Sequence, residues 1–264
     1  MLTVVKNELR VCFLSIKYNI MKEMVNRVTF LTNVCFMMLN NAAFLIQWSI
    51  LFHLREDIGG YTMSEVMLLW GLIASCCGVS RILFARVYTM HELIVNGKLD
   101  AYLVLPKNVL LSVMTSKTES SAIGDLLYGI LIMCVFCFSI KRFLLFLWFT
   151  MTGALILTAF ALLVGSMSFW FVQTEMFGVH MINVVISFAT YPDGIFQGAA
   201  RFLLYFVIPV GMTVYHPVHI MVDFDAAMLL AVTGYMLLLG ALAVFVFYRG
   251  LRRYSSGSLM EGRG

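Results

Sequence analysis

Six apolar stretches, 28–54, 66–84, 122–140, 143–171, 177–189 and 226–248, confine this chain to one kind of solvent. About 20 apolar residues in a helix cross a bilayer, and hydrocarbon offers nothing to an open backbone, so helices are the expected form. Charged residues are only 12% of the 264 and apolar ones 61%, against roughly 25% charged in soluble domains. The expectation is an all-α integral membrane protein of six transmembrane helices, a single domain over 1–264. No segment is long and polar enough for a separate soluble domain. No GxxxxGK[ST] loop occurs, which excludes a P-loop ATPase within this sequence. Lys6, Glu8 and Arg10 stand where a cleavable signal would need its apolar core, so the first span is expected to direct insertion.

The polar pieces between the stretches differ in character. Residues 1–27 hold an amphipathic helix over 4–24, with Val5, Leu9, Cys12, Phe13, Ile16 and Ile20 on one side. Lys6, Arg10 and Lys17 line one flank; Glu8, Ser15 and Asn19 line the other. Such a helix lies in the headgroup plane or forms the first turns of a long bent span. The loop 85–121 opens with helical spacing at Met90, Leu93 and Ile94, beside His91 and Glu92. Asn96-Gly97 should stop that helix, because glycine accepts the left-handed conformation after a last turn. It is either an amphipathic tether or a docking element. Segment 190–222 contains Pro192, Pro209 and Pro217 around an apolar piece bearing Arg201. It reads as a re-entrant pair of short helices, with a proline-kinked extra span as the alternative. Lys141-Arg142 is expected as a tight turn, Gln173-Thr174-Glu175 as a polar break, and 249–264 as a basic tail.

Polar groups inside the spans narrow the possibilities. Thr29, Asn33, Phe36, Asn40, Phe44 and Gln47 recur every three or four residues and make one polar-aromatic stripe. Amides in hydrocarbon need partners, so the stripe faces another helix or lines a substrate path. Gly71, Ala74, Ser75 and Gly78 in the second span permit close helix contact. Asp125 and Tyr128 share a face near the start of the third; the carboxylate either snorkels to the interface or joins a polar site. The six cysteines fall almost wholly in apolar stretches and read as small hydrophobes, Cys134 and Cys137 included. No metal site is expected.

Cations set the orientation. With six spans, Lys6, Arg10, Lys17, Lys22, Arg27, Arg81, Arg86, Lys98, Lys107, Lys117, Arg249, Arg252, Arg253 and Arg263 share a side, leaving Arg55, Lys141, Arg142 and Arg201 on the other. The positive-inside rule puts the larger group, both termini and the 85–121 loop in the cytoplasm, and the 190–222 hairpin outside.

Three motifs then carry a resemblance: Gly97-Lys-Leu-Asp100 running into Tyr102-Leu-Val-Leu-Pro106, Tyr191-Pro192 through Pro209 to Pro217, and Tyr248-Arg-Gly-Leu-Arg-Arg-Tyr254. In order and spacing the chain resembles an ABC-2-type ABC transporter permease of the bacterial cytoplasmic (inner) membrane. The resemblance implies a membrane subunit without catalytic residues. Its partners would be two copies of a cytoplasmic ABC ATPase, which would hold ATP and Mg, and a second permease chain, identical or homologous. No cofactor in this chain and no nucleic acid are implied. The 85–121 loop would carry a coupling helix at Tyr88, His91, Glu92, Leu93, Ile94 and Gly97, with Gln173 and Glu175 nearby. Asn33, Phe36, Asn40, Phe44 and Gln47 would line the path, surrounded by the first, second and fifth spans. Tyr191, Pro192, Arg201, Pro209 and Pro217 would build an exterior cap, with Asp193, Asp223 or Asp225 partnering Arg201. Export of an amphipathic or hydrophobic small molecule is the expectation by analogy; import, or transport of a lipid or envelope component, is the alternative. A polytopic membrane enzyme is a more distant rival, with His91-Glu92 and Asp223-Phe-Asp225 as its only candidate groups.

Overall fold

The computed structural model describes residues 2–171 and 175–254. Among them are twelve α-helices and, apart from one isolated bridge between Ile58 and Tyr61, no strand pairing. Helix α1 (Leu2–Glu23) is parted from α2 (Arg27–Leu54) by a turn in which Asn26 accepts a 3.1 Å bond from the Thr29 amide. Helix α3 (Met63–Phe84) starts on a capping box, Thr62 and Glu65 each bonding the other's backbone N–H. A 3-10 turn over Ala85–Thr89 leads to three short helices, α4 (Met90–Val95), α5 (Asp100–Leu103) and α6 (Val109–Met114). Then come α7 (Ser121–Phe136), α8 (Ile140–Ser166), α9 (Glu175–Phe188), α10 (Gly198–Phe206), α11 (His216–Val222) and α12 (Ala226–Leu251).

Among the described residues, four helical stretches are long and apolar enough to cross a membrane: Arg27–Leu54, Met63–Val95, Ile140–Phe169 and Ala226–Leu251. The other two expected spans are α7, of 16 residues, and α9, of 14. At 1.5 Å per residue they measure about 24 and 21 Å, less than a typical hydrocarbon core of about 30 Å. The third span therefore ends earlier than the sequence suggested. The chain leaves the helix at Cys137 and is extended at Ser139. Lys141 and Arg142 are not the turn. They lie in the first turn of α8, where Lys141 sits 4.6 Å from the centre of the Phe224 ring.

Helix α3 is the axis of the bundle. It packs on α7 on one side and α8 on another; α2 then packs on α7, and α12 on α8. Almost every residue from Val66 to Gly78 is buried. The α3–α7 crossing is close because of glycine: a Cβ on Gly129 would collide with the Ser75 hydroxyl and the Gly71 carbonyl. By contrast, α2 buries only Val34, Asn41 and Trp48 fully, spaced by seven residues along one seam. On α12 the fully buried set is Val232, Ala243, Phe247 and Gly250.

The two ends of the bundle are built differently. At one, the 55–62 turn meets the segment that follows α9, joined by a Tyr61–Asp193 bond of 2.9 Å. At the other, Val87, Met90, Leu93, Ile94, Leu99, Leu110 and Val113 form a second core with Leu162, Phe169 and Phe247. Helix α1 belongs to this second end. Ser15 and Asn19 both donate to the Thr115 carbonyl, at 2.8 and 3.0 Å, and Glu8 accepts from the Asn108 amide. The flank bearing Glu8, Ser15 and Asn19 is thus docked on the 108–115 segment of the chain itself, while Lys6, Arg10 and Lys17 on the other flank are exposed.

Candidate functional site

A cavity of 410 Å³ opens between α2, α3, α7 and α9, lined by Asn40, Asn41, Phe44, Trp70, Asp125 and Tyr191 among others. Its walls are mostly apolar, with Met37, Ile73, Ala74 and Ile186 completing much of the lining. Its polar lining residues are Asn40, Asn41, Arg81, Asp125, Ser187 and Thr190. Asn41 donates to Asp125 Oδ1 at 2.6 Å, both side chains being buried. Arg81 also lines the cavity and pairs with Glu119 at 3.4 Å, its guanidinium 5.2 Å from the Tyr88 ring centre. Asp125 therefore does not snorkel. Its neighbour on the facing helix meets it where water would otherwise be needed.

The stripe on α2 divides. Asn40 and Phe44 line the cavity, Phe44 with its ring centre 4.3 Å from that of Trp70. Asn33, Phe36 and Gln47 lie on the outer face; Asn33 reaches Ser120 Oγ at 3.4 Å, and Phe36 is 64% exposed. The geometry is simple. At 100° per residue the stripe is centred about a quarter-turn from the Val34–Asn41–Trp48 seam. Asn41, which makes the buried contact, is on that seam and outside the stripe. The signal that could have found it is the seven-residue spacing with Val34 and Trp48.

The expected docking helix exists as α4, ended as its sequence suggested. Asn96 donates its amide to the Glu92 carbonyl, and Gly97 takes φ +67° before Leu99 bonds back to the Leu93 carbonyl at 3.0 Å. Its apolar face is turned inward, however. Met90, His91, Leu93 and Ile94 are all buried, and Tyr88 points its hydroxyl at Ser80 Oγ, 2.6 Å away. Glu92 and Gly97 are half-buried, while Asn96 and Lys98 are exposed. Gln173 lies outside the described residues, and the Glu175 side chain is likewise undescribed at the start of α9.

The segment 190–222 forms paired short helices. Pro192 precedes a 3-10 turn, Pro209 accepts from Thr213 at a π-helical turn, and Pro217 sits in the first turn of α11. Of the three acidic candidates, Asp193 partners Arg201, at 3.0 Å. The same buried carboxylate accepts from Tyr61 at 2.9 Å and Tyr205 at 2.6 Å, and His219 Nε2 is 3.9 Å away. Burial pushes the Asp193 carboxyl up, but the tyrosine hydrogen bonds with Arg201 and His219 outweigh that and leave it below the ordinary range. Tyr191 lines the cavity, its ring centre 5.9 Å from that of Trp48. The hairpin and the cavity therefore share a wall.

Among the described residues, no group of three or more His, Cys, Asp or Glu side chains could hold a metal ion. Neither the curated proteins nor the solved structures contain a match to this chain. The model of one family, described as ABC-2 family transporter protein, matches residues 38–258, from within α2 to beyond the end of α12. With an all-helical bundle, four membrane-length helices and a family match over most of its length, the chain belongs to the ABC-2 family of transporter proteins.

Proposed function

We propose that this chain is the membrane permease subunit of an ATP-driven exporter, with the cavity between α2, α3, α7 and α9 as its substrate chamber. The observation that carries this reading is that cavity: a buried Asn41–Asp125 pair and Arg81 in a mostly apolar lining, beside an α2 face that leaves Phe36 and Gln47 exposed. ATP and Mg would be held by two copies of a cytoplasmic ATPase. The exposed parts of the α4 turn, Glu92, Asn96, Gly97 and Lys98, would meet it, with buried His91, Leu93 and Ile94 anchoring that turn to the bundle. A push on the turn would pass directly into α8, because α4 packs against it in the second core. A second permease chain, identical or homologous, would cover Asn33, Phe36 and Gln47 on α2. In this arrangement the hairpin closes the exterior mouth, both termini are cytoplasmic, and the membrane is the bacterial inner one. The cargo is an amphipathic or hydrophobic small molecule. ATP and cargo need only favour different states of the pair.

Two variants test the reading at separate points. Changing Glu92 and Lys98 together to Ala is expected to abolish co-purification of an ATPase while leaving the chain folded. Asn40→Leu is expected to lower transport in vesicles and keep the ATPase bound. Unchanged assembly in the first, or normal transport in the second, rejects the corresponding half of the proposal.

A further inference from the structure

Resting on the reading of this cavity as a substrate chamber, we infer that it is built for an organic cation with an apolar body. The arrangement of its ionisable groups supports this. Asp125 and Arg81 are its acidic and basic lining residues, but they are not each other's hydrogen-bonded partner. Arg81 is engaged elsewhere, by Glu119 at 3.4 Å and over the Tyr88 ring. Glu119 is also 3.7 Å from Lys117, whose side chain is 39% exposed and accessible to solvent. Asp125 Oδ1 accepts a hydrogen bond from the neutral amide of Asn41. A carboxylate offers about four acceptor sites. It retains capacity for a cationic head: Arg81, in the same lining, acts on Asp125 only through space, its hydrogen bond being made to Glu119.

The rest of the lining suits the body of such a molecule. Phe44, Trp70 and Tyr191 present aromatic surface in the same cavity, and ring faces attract cations as well as apolar groups. Along α3 the lining runs from Trp70 to Arg81, about 16 Å at the helical rise. That length accommodates a charged head at Asp125 with aromatic or aliphatic substituents reaching toward Tyr191. Asn40 and Asn41 add neutral donors and acceptors without adding charge.

The test uses the full chain purified in detergent, with tetraphenylphosphonium as the probe and tetraphenylborate, an anion of nearly the same shape, in a separate titration. The wild-type chain is expected to bind the phosphonium at least about tenfold more tightly than the borate. Asp125→Asn is expected to weaken the phosphonium by about tenfold or more and to leave the borate no weaker. Asn40→Trp, which fills the cavity from the exposed face of α2, is expected to weaken the phosphonium. Equal affinity for the two ions in the wild-type chain overturns the inference without relying on any variant, as does full phosphonium affinity in Asp125→Asn. Should that occur while Asn40→Trp still loses both ions, the chamber stands and only its charge preference falls. Should Asn40→Trp keep both, the chamber reading falls too.

Discussion

Two buried aspartates, Asp125 and Asp193, are each about 4% exposed, and they live in opposite circumstances. Asp193 is surrounded by Tyr61, Tyr205, Arg201 and His219, contributed by the turn before α3 and by both arms of the hairpin. Asp125 has the Asn41 amide and an open cavity. A carboxylate whose acceptor sites are filled by the protein ties segments together. One left with spare sites in an apolar cavity is destabilising unless something else satisfies it, which is how binding sites differ from clamps. Asp193 belongs to the architecture of the hairpin and Asp125 to the proposed work of the chamber.

The largest expected effect is on the clamp. Asp193→Ala strands the Tyr205 hydroxyl and leaves Tyr61 only His219 Nε2, 3.1 Å away, and should lower stability by about 2 kcal/mol, read from thermal or denaturant unfolding in detergent. A loss below about 1 kcal/mol would erase the contrast with Asp125. Tyr205→Phe removes one charge-assisted bond of 2.6 Å and should cost about 1.5 kcal/mol. Acid gives a related reading. The native Asp193 carboxyl lies below its ordinary value, so its contribution is present above the unfolded value of about 3.9 and is lost as pH falls through the native one. Melting curves between neutrality and about pH 3 should therefore fall in the wild-type chain more steeply than in Asp193→Asn. Asp125→Asn should move stability by less than about 1 kcal/mol, since Asn41 can still bond an amide oxygen, while transport is strongly reduced. Equal unfolding of the Asp125 and Asp193 variants would make both residues clamps. Smallest is Arg201→Gln: its side chain is 56% exposed, and solvent screening should hold the loss to about 0.5 kcal/mol.

Much of this was legible in the residues. Met90, Leu93 and Ile94 share a helix face because they are three and four apart, and all three are buried. Gly97 was readable as a stop and takes the positive φ that glycine tolerates. The prolines of 190–222 marked the breaks of a helical hairpin, and Asp193 was among the three named partners of Arg201. The site was legible only in outline. Helical periodicity finds a polar stripe, but it is blind to which side of that stripe meets a neighbour. Asn41 is 84 residues from Asp125, and no local pattern joins them. The inward turn of His91 was equally hidden, since a solitary amphipathic helix reads alike whether its apolar side faces lipid, a partner or its own bundle.

Local chemistry alone thus determined the solvent, the helical form and most of the breaks, because hydrocarbon forbids an unpaired backbone and glycine and proline act within a turn of themselves. Tertiary structure decided which polar side chains are spent and which are spare. It also decided that the flank of α1 docks on the chain, that α7 and α9 stay short, and that a cavity opens beside Asp125. Each depends on which helices come within hydrogen-bonding reach, a distance set by close-packed neighbours far apart in the chain.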